Sequence, residues 1–271
     1  MEIIKELKDL TYLEWTRTRH SSGSAGSFLK AYEIKNGKKY YYKLSNYDPV
    51  YGITGHESVN ELIADRLLTV LNIEHLDYTL IHAKISIKGS VYETYLCRSE
   101  DFKEKGDFKT ALDAYYDMEA ENGESPYDFC RRMGFEEYID KMLVFDFLII
   151  NRDRHGANIE LIRNKDREGL HPAPLFDHGL SMILDKSMKP EDFKPLDDKK
   201  VQCFVGTSST FENLKLIPKE KLIKLPEFND ELFNFIFSDI SEILGDDLAK
   251  MTYKLLKERA KAYEDFCNSQ C

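Results

Sequence analysis

The 271-residue sequence has no excess of positive charge. Its 38 Lys and Arg stand against 48 Asp and Glu, a formal net charge of −10. That balance argues against general nucleic-acid binding, which needs a basic face. It leaves room for a small basic pocket. Cysteine is scarce and scattered: Cys97, Cys130, Cys203, Cys267 and Cys271 make no CxxC pair. Zinc spacing and a disulfide framework are therefore not expected, and reduced thiols in a cytoplasmic protein are. No apolar run reaches the roughly 18 residues of a membrane span, so no membrane contact is expected. The charged start MEIIKELKDL does not read as a signal peptide. HExxH is missing, as is any pair of His ligands at i, i+4, which makes a metal-hydrolase reading poor. There is no repeat of fixed period and no low-complexity tract. What remains is an ordinary globular balance, 42% hydrophobic and 32% charged, with length enough for one large domain or two lobes around a cleft.

The segment from Tyr12 to Leu44 reads as strands and turns. The small-residue cluster SSGSAGS (21–27) lies between β-prone runs, and Asn36-Gly37 is a strong hairpin signal before the strand KYYYKLS. Thr54 and Glu57 have capping-box spacing. They precede a helix with Val59, Leu62, Ile63, Leu67, Val70 and Leu71 on one face. Thr79 to Ser99 reads as strands broken at Lys88-Gly89, Thr110 to Glu121 as a helix, and Glu136 to Ile150 as a buried core helix containing Asp146. Next come the strand NIELIR, the turn NKDREG, and LHPAPLF leading into Asp177. Residues 185–224 read as a long irregular segment. Two amphipathic helices, Asn229–Leu244 and Asp246–Phe266, finish the chain. The pattern is α+β in two lobes: a β-rich N-lobe over residues 1–100 and a mostly helical C-lobe over 101–271.

Five features follow one another in a fixed order: a Ser/Gly loop between strands, a Lys on a following strand, a Glu on the next helix, DRHGAN and FDHG. Asp153 and Asn158 have the spacing of the Asp and Asn of the protein-kinase catalytic loop. Phosphoryl transfer to a hydroxyl needs an acceptor to orient the attacking O–H, which an Asp supplies. It also needs hard oxygen ligands for magnesium, which an Asn carbonyl and a second acid, Asp177, supply. The turn NKDREG folds two strands back so that Asn158 and Asp177 come near each other. Lys43 sits between Tyr42 and Leu44, and a Lys on a half-buried strand needs an anion. Glu57 and Glu61 compete to pair with it. Glu61 is favoured because its neighbours Ala64 and Leu68 are apolar and a carboxylate among them wants a cation. The loop of Ser22, Gly23, Ser24, Ala25, Gly26 and Ser27 lets backbone N–H groups approach phosphates, although it matches neither GxGxxG nor GxxxxGK[ST]. His155 stands where protein kinases carry a Lys beside the γ-phosphate. Asp146 is expected to tie down the catalytic loop.

FDFLIINRDRHGANIEL followed by PLFDHGLS resembles the catalytic core of HipA-like serine/threonine kinases. That family includes bacterial toxin kinases and a cell-translocating relative, and is related to the phosphatidylinositol 3- and 4-kinases. The resemblance spans roughly residues 20–265 and is specific in 145–181; NELIADRLLTVLNI resembles the family's NE-containing helix and supports Glu61. It implies a two-lobed protein-kinase-like fold, with ATP and Mg2+ as cofactors. Asp153 is implied as catalytic base, Asn158 and Asp177 as metal ligands, and Lys43 and the 22–27 loop as phosphate contacts. The adenine would meet backbone near Leu96, Cys97 and Arg98, between the lobes. Larger members carry an extra N-terminal β-rich subdomain, where here residues 1–20 precede the loop.

The first expectation is thus a protein kinase that transfers the γ-phosphoryl group to a hydroxyl of a protein, such as a translation component. Autophosphorylation at Ser22, Ser24 or Ser27, an antitoxin-like partner and non-classical export into a host cell come with the resemblance. GTSST (206–210) is a weaker modification candidate. A lipid or small-molecule kinase on the same core, and a partner-binding pseudokinase, are the alternatives.

Overall fold

The computed structural model describes residues 2–18, 25–104, 106–164 and 169–269. Its first hundred residues run through β1 (Glu2–Asp9), β2 (Thr16–Thr18), β3 (Ala25–Lys35), β4 (Lys38–Lys43), the short hairpin β5 (Tyr47–Asp48) and β6 (Gly52–Ile53), α1 (Glu57–Val70), β7 (Thr79–Ile87) and β8 (Ser90–Glu100). Asn36 at φ 52° and Gly37 at φ 78° give the two left-handed residues that a type I′ hairpin turn requires, so β3 and β4 pair antiparallel from Lys35–Lys38 back to Lys30–Lys43. The sheet order is β1-β7-β8-β4-β3-β2. The strands Thr79–Ile87 and Ser90–Glu100 and the hairpin at 36–37 stand as the alternation predicts.

Alternation along β4 sorts its side chains. Tyr42 and Leu44 enter a small core with Leu10, Ile81 and Leu96, and Lys43 faces the other way. The larger core joins α1 to the second half of the chain. That half contains β9 (Phe108–Ala111), α2 (Leu112–Glu119), α3 (Pro126–Arg132), α4 (Glu136–Ile149), β10 (Asp153–Arg154), β11 (Glu160–Arg163), β12 (His171–Pro172), β13 (Gln202–Cys203), α5 (Thr210–Leu214), α6 (Asp230–Phe237), α7 (Ser241–Leu244) and α8 (Asp246–Ser269). The architecture is α+β, with a β-rich N-terminal sheet and a helical C-terminal part. No helix among the described residues is long and apolar enough to cross a membrane.

Several elements differ from expectation. The charged opening segment is a strand, β1, lying parallel to β7 at the sheet edge, where charged side chains are at home. The Thr54–Glu57 capping box does not form: His56 is the N-cap without a side-chain cap, and both box residues serve Asn46. The Asn46 N–H donates to Glu57 Oε2 at 2.9 Å, and its side-chain amide donates to Thr54 Oγ1 at 3.0 Å. Helix α1 buries Ser58 through Leu68 rather than one face, because the sheet covers one side and α6 the other. Residues 108–111 are strand, and pairing with β11 draws Thr110 and Ala111 out of the expected helix. The helix expected over Asn229–Leu244 breaks into α6 and α7. Arg66 of α1 donates there to the Ile236 carbonyl at 2.7 Å and to both Asp239 oxygens at 2.6 and 3.0 Å. The tip of the turn NKDREG, residues 165–168, lies outside the described residues.

Candidate active site

Helix α4 carries the apolar run that fills the larger core, and its end sets the loop of residues 151–158. Ile150 turns the chain at φ 51°, ψ 56°. This left-handed conformation is costly for a β-branched residue and tends to be kept where surrounding structure enforces it. What enforces it is Asp146. Its backbone carbonyl accepts the Asn151 N–H at 3.0 Å, and its carboxylate accepts the Asn151 side-chain amide at 2.9 Å. The same carboxylate takes a two-pronged contact from Arg154, Nε at 2.8 Å and Nη2 at 2.9 Å. Arg154 also donates to the carbonyls of Asn158 at 3.2 Å and Phe176 at 2.9 Å. One guanidinium, 1% exposed, therefore ties α4, the loop and the chain leading into Asp177 together. Burial acts to lower its pKa, but Asp146 outweighs burial and holds Arg154 above the ordinary arginine value. Gly156 packs so closely on α2 that a Cβ there would run into Asp113.

Within the loop, the Asn158 amide nitrogen donates to the Asp153 carbonyl at 2.8 Å. The Asp153 N–H donates to Asn151 Oδ1 at 3.3 Å. His155 Nε2 lies 3.7 Å from Asp153 Oδ1, both side chains part-exposed.

The second acid arrives on the other side of the cleft floor. Asp177 is left-handed at φ 63°, and α1 holds the residues after it. The His178 N–H donates to Glu61 Oε2 at 2.8 Å, and the Asn60 side-chain amide donates to the carbonyls of Gly179 and Ser181 at 3.1 and 3.0 Å. Gly179 leaves no slack, since a Cβ there would press on Glu57 at 3.2 Å. Lys43 Nζ then closes the arrangement, 2.9 Å from Glu61 Oε1 and 2.7 Å from Asp177 Oδ1, with side-chain exposures of 16%, 2% and 17%. Burial pushes the Lys43 ammonium toward neutrality, but Asp177 and Glu61 together overcome it and keep its pKa well above the usual lysine value. Glu57, the competitor, bonds to Asn46 instead. His178 is buried beside Arg154 and Lys43, and burial first, then those two cations, hold its imidazole far below the ordinary histidine value. It is a neutral ring packed edge-on against Phe145 at 5.2 Å.

A cavity of about 110 Å³ opens between the sheet and the loop. Lys30, Tyr41 and Lys43 form its upper wall, the connecting segment Ser99–Phe102 its back, and Asn158, Phe176 and Asp177 its floor. Asp153 and His155 are not wall residues; they sit on the same loop as Asn158. Leu96, Cys97 and Arg98, where the adenine contact is expected, are not wall residues either. They lie within β8: Leu96 is in the small core, Cys97 is buried at 1% exposure, and Arg98 lies over the Tyr40 ring at 5.1 Å. The sheet continues for two more residues before the chain crosses. Ser22, Gly23 and Ser24 lie outside the described residues, and the backbone of Ala25, Gly26 and Ser27 opens β3. Sequence reasoning missed Arg154, although a second basic residue directly after Asp153 was the available signal. It also missed Tyr41 and Phe102, which no motif marks, and gave Phe176 of FDHG no role at the cavity.

No family model matches the sequence, and no curated protein does. Solved structures do match the fold. The proinflammatory kinase CtkA of Helicobacter pylori is similar with a TM-score of 0.60 at 13% identity, covering 97% of this chain and 97% of that one. HipA of the Shewanella oneidensis MR-1 toxin–antitoxin system, solved with HipB and its operator DNA, is similar with a TM-score of 0.50 at 15% identity. That match covers 90% of this chain and 66% of the HipA chain. The chain thus shares the fold of these two structures, α+β with a β-rich N-terminal part and a helical C-terminal part.

Proposed function

We propose that the chain is an ATP- and Mg2+-dependent phosphotransferase that transfers the γ-phosphoryl group to a protein hydroxyl, a serine/threonine kinase of the HipA-like type. One observation carries this reading: Lys43, Glu61 and Asp177, far apart in sequence, meet within 2.7–2.9 Å at a cavity that Asn158 also lines. Hard oxygen donors suit Mg2+. Asn158 uses its amide nitrogen inward on the Asp153 carbonyl, so its oxygen is the atom it would turn to a cation, and Asp177 would add a carboxylate. When bound, the metal supplies charge neutralisation on the phosphates.

The chain's own residues do the rest. Lys43 binds the phosphates while Glu61 fixes its position. Asp153 orients the attacking hydroxyl and takes its proton. His155, 3.7 Å from Asp153, stands ready beside the transferring group. The resemblance gives the loop of residues 22–27 the role of phosphate contact, and the base meets the Ser99–Phe102 segment. Catalysis of this kind is chiefly positioning and electrostatics. The HipA neighbour was solved with HipB, which supports an antitoxin-like protein partner here. Autophosphorylation at Ser22, Ser24 or Ser27 belongs to the same reading, since a phosphate there would bring negative charge to where the nucleotide phosphates sit.

The test uses γ-labelled ATP and Mg2+ with the full chain, offered a protein extract in one arm and phosphoinositides in another. Label is expected in protein and is expected to vanish with Asp153→Ala or Asp177→Ala. Undiminished transfer by either variant overturns the assignment, and label confined to lipid would move the acceptor to the lipid class.

A further inference from the structure

Lys30 and Lys43 are direct cross-strand partners in the β3–β4 pair. Opposed residues in such a pair leave the same face of the sheet, and both line the cavity together with Asn158 and Asp177. Lys43 is already engaged by two carboxylates, Glu61 at 2.9 Å and Asp177 at 2.7 Å. If Asp177 turns to a metal, Glu61 still balances Lys43, so Lys43 alone offers a phosphate chain a charge that is already matched. A polyphosphate needs more than that, because charge-assisted contacts to phosphate oxygens are the strong ones. Lys30 brings a second ammonium to the same wall, one strand away. It also sits four residues beyond the last glycine of the 21–27 cluster, where β3 leads from the small-residue loop into the sheet.

We propose that Lys30 is a second phosphate-binding cation of this cleft, acting on the polyphosphate chain of a nucleotide and not on its base or ribose. The proposal rests on the nucleotide reading of the cavity. A flexible ammonium suits the role, since it acts as a point charge with three rotatable donors and can follow a phosphate chain.

The experiment is calorimetric titration of the full chain with MgATP, MgADP and adenosine, for the wild type, Lys30→Met and Lys30→Arg. Lys30→Met is expected to weaken MgATP binding on the order of tenfold to a hundredfold. Adenosine binding should be unchanged, and Lys30→Arg should restore most of the MgATP affinity. Wild-type affinity of Lys30→Met for MgATP overturns the proposal, as does an equal loss for adenosine, which would mark a change of cavity shape. A wild type that binds none of the three overturns the nucleotide reading and this proposal with it. If Lys30→Met melts well below the wild type, Lys30→Gln carries the same comparison.

Discussion

Asp146→Asn probes the organisation of the candidate site away from its proposed chemistry. The substitution keeps shape and removes one charge. Arg154 is 1% exposed, and its remaining acceptors are the neutral carbonyls of Asn158 and Phe176. Breaking a buried ion pair from one side costs about 3–5 kcal/mol, because the surviving charge stays buried without its partner. An asparagine oxygen can still accept one hydrogen bond, so the expected loss is toward the lower end, about 3 kcal/mol. Urea denaturation with the linear-extrapolation analysis reads this directly. Asp146→Leu combined with Arg154→Met should recover part of the loss, since an apolar pair of similar volume can replace a buried ion pair. A single-variant loss below about 1 kcal/mol would mean that Arg154 behaves as a solvated surface cation and that Asp146 does not hold the loop.

Two further outcomes follow from named contacts. Lys43→Met leaves the buried Glu61 and its neighbour Asp177 without their shared cation, so the unfolding free energy should fall by about 3–5 kcal/mol; denaturation within about 1 kcal/mol of the wild type would count against that. His75 places Nε2 2.8 Å from Asp65 Oδ1 and Nδ1 2.6 Å from the Ile73 carbonyl. Burial acts to lower its pKa, but these acceptors outweigh burial and raise it above the ordinary value of 6.5. The folded state therefore favours the proton. The contribution is fully present below about pH 6.5 and is lost as pH rises through the raised value. The stability gap between the wild type and His75→Gln should shrink from pH 6 to pH 8.5, and a gap that is constant or widens contradicts it.

Much of this site could be read from local chemistry. Asn36-Gly37 demands a hairpin, alternation puts Lys43 opposite Tyr42 and Leu44, and an acid among apolar residues asks for a cation, which is why Glu61 and not Glu57 meets Lys43. The spacing of Asp153 and Asn158 and the acid after Leu175-Phe176 came from the same kind of reading. What escaped was decided by tertiary partners. Thr54 and Glu57 had the right spacing for a cap, but Asn46 occupies both. Residues 108–111 became strand because β11 offered a ladder. The cavity is lined by residues 99–102 and not by 96–98, because β8 keeps its partner β4 as far as Glu100. The left-handed Ile150, Asp177 and Met182 carry no compositional mark. They exist because Asp146, Arg154 and α1 fix the chain on either side of them.

The most direct test of the central claim is a crystal structure of the full chain grown with magnesium and a non-hydrolysable ATP analogue. The analogue is expected in the cavity between β4 and the 151–158 loop, with a metal held by Asn158 and Asp177 and Lys43 on the phosphates. A nucleotide bound elsewhere, or a metal that ignores both Asn158 and Asp177, would contradict it.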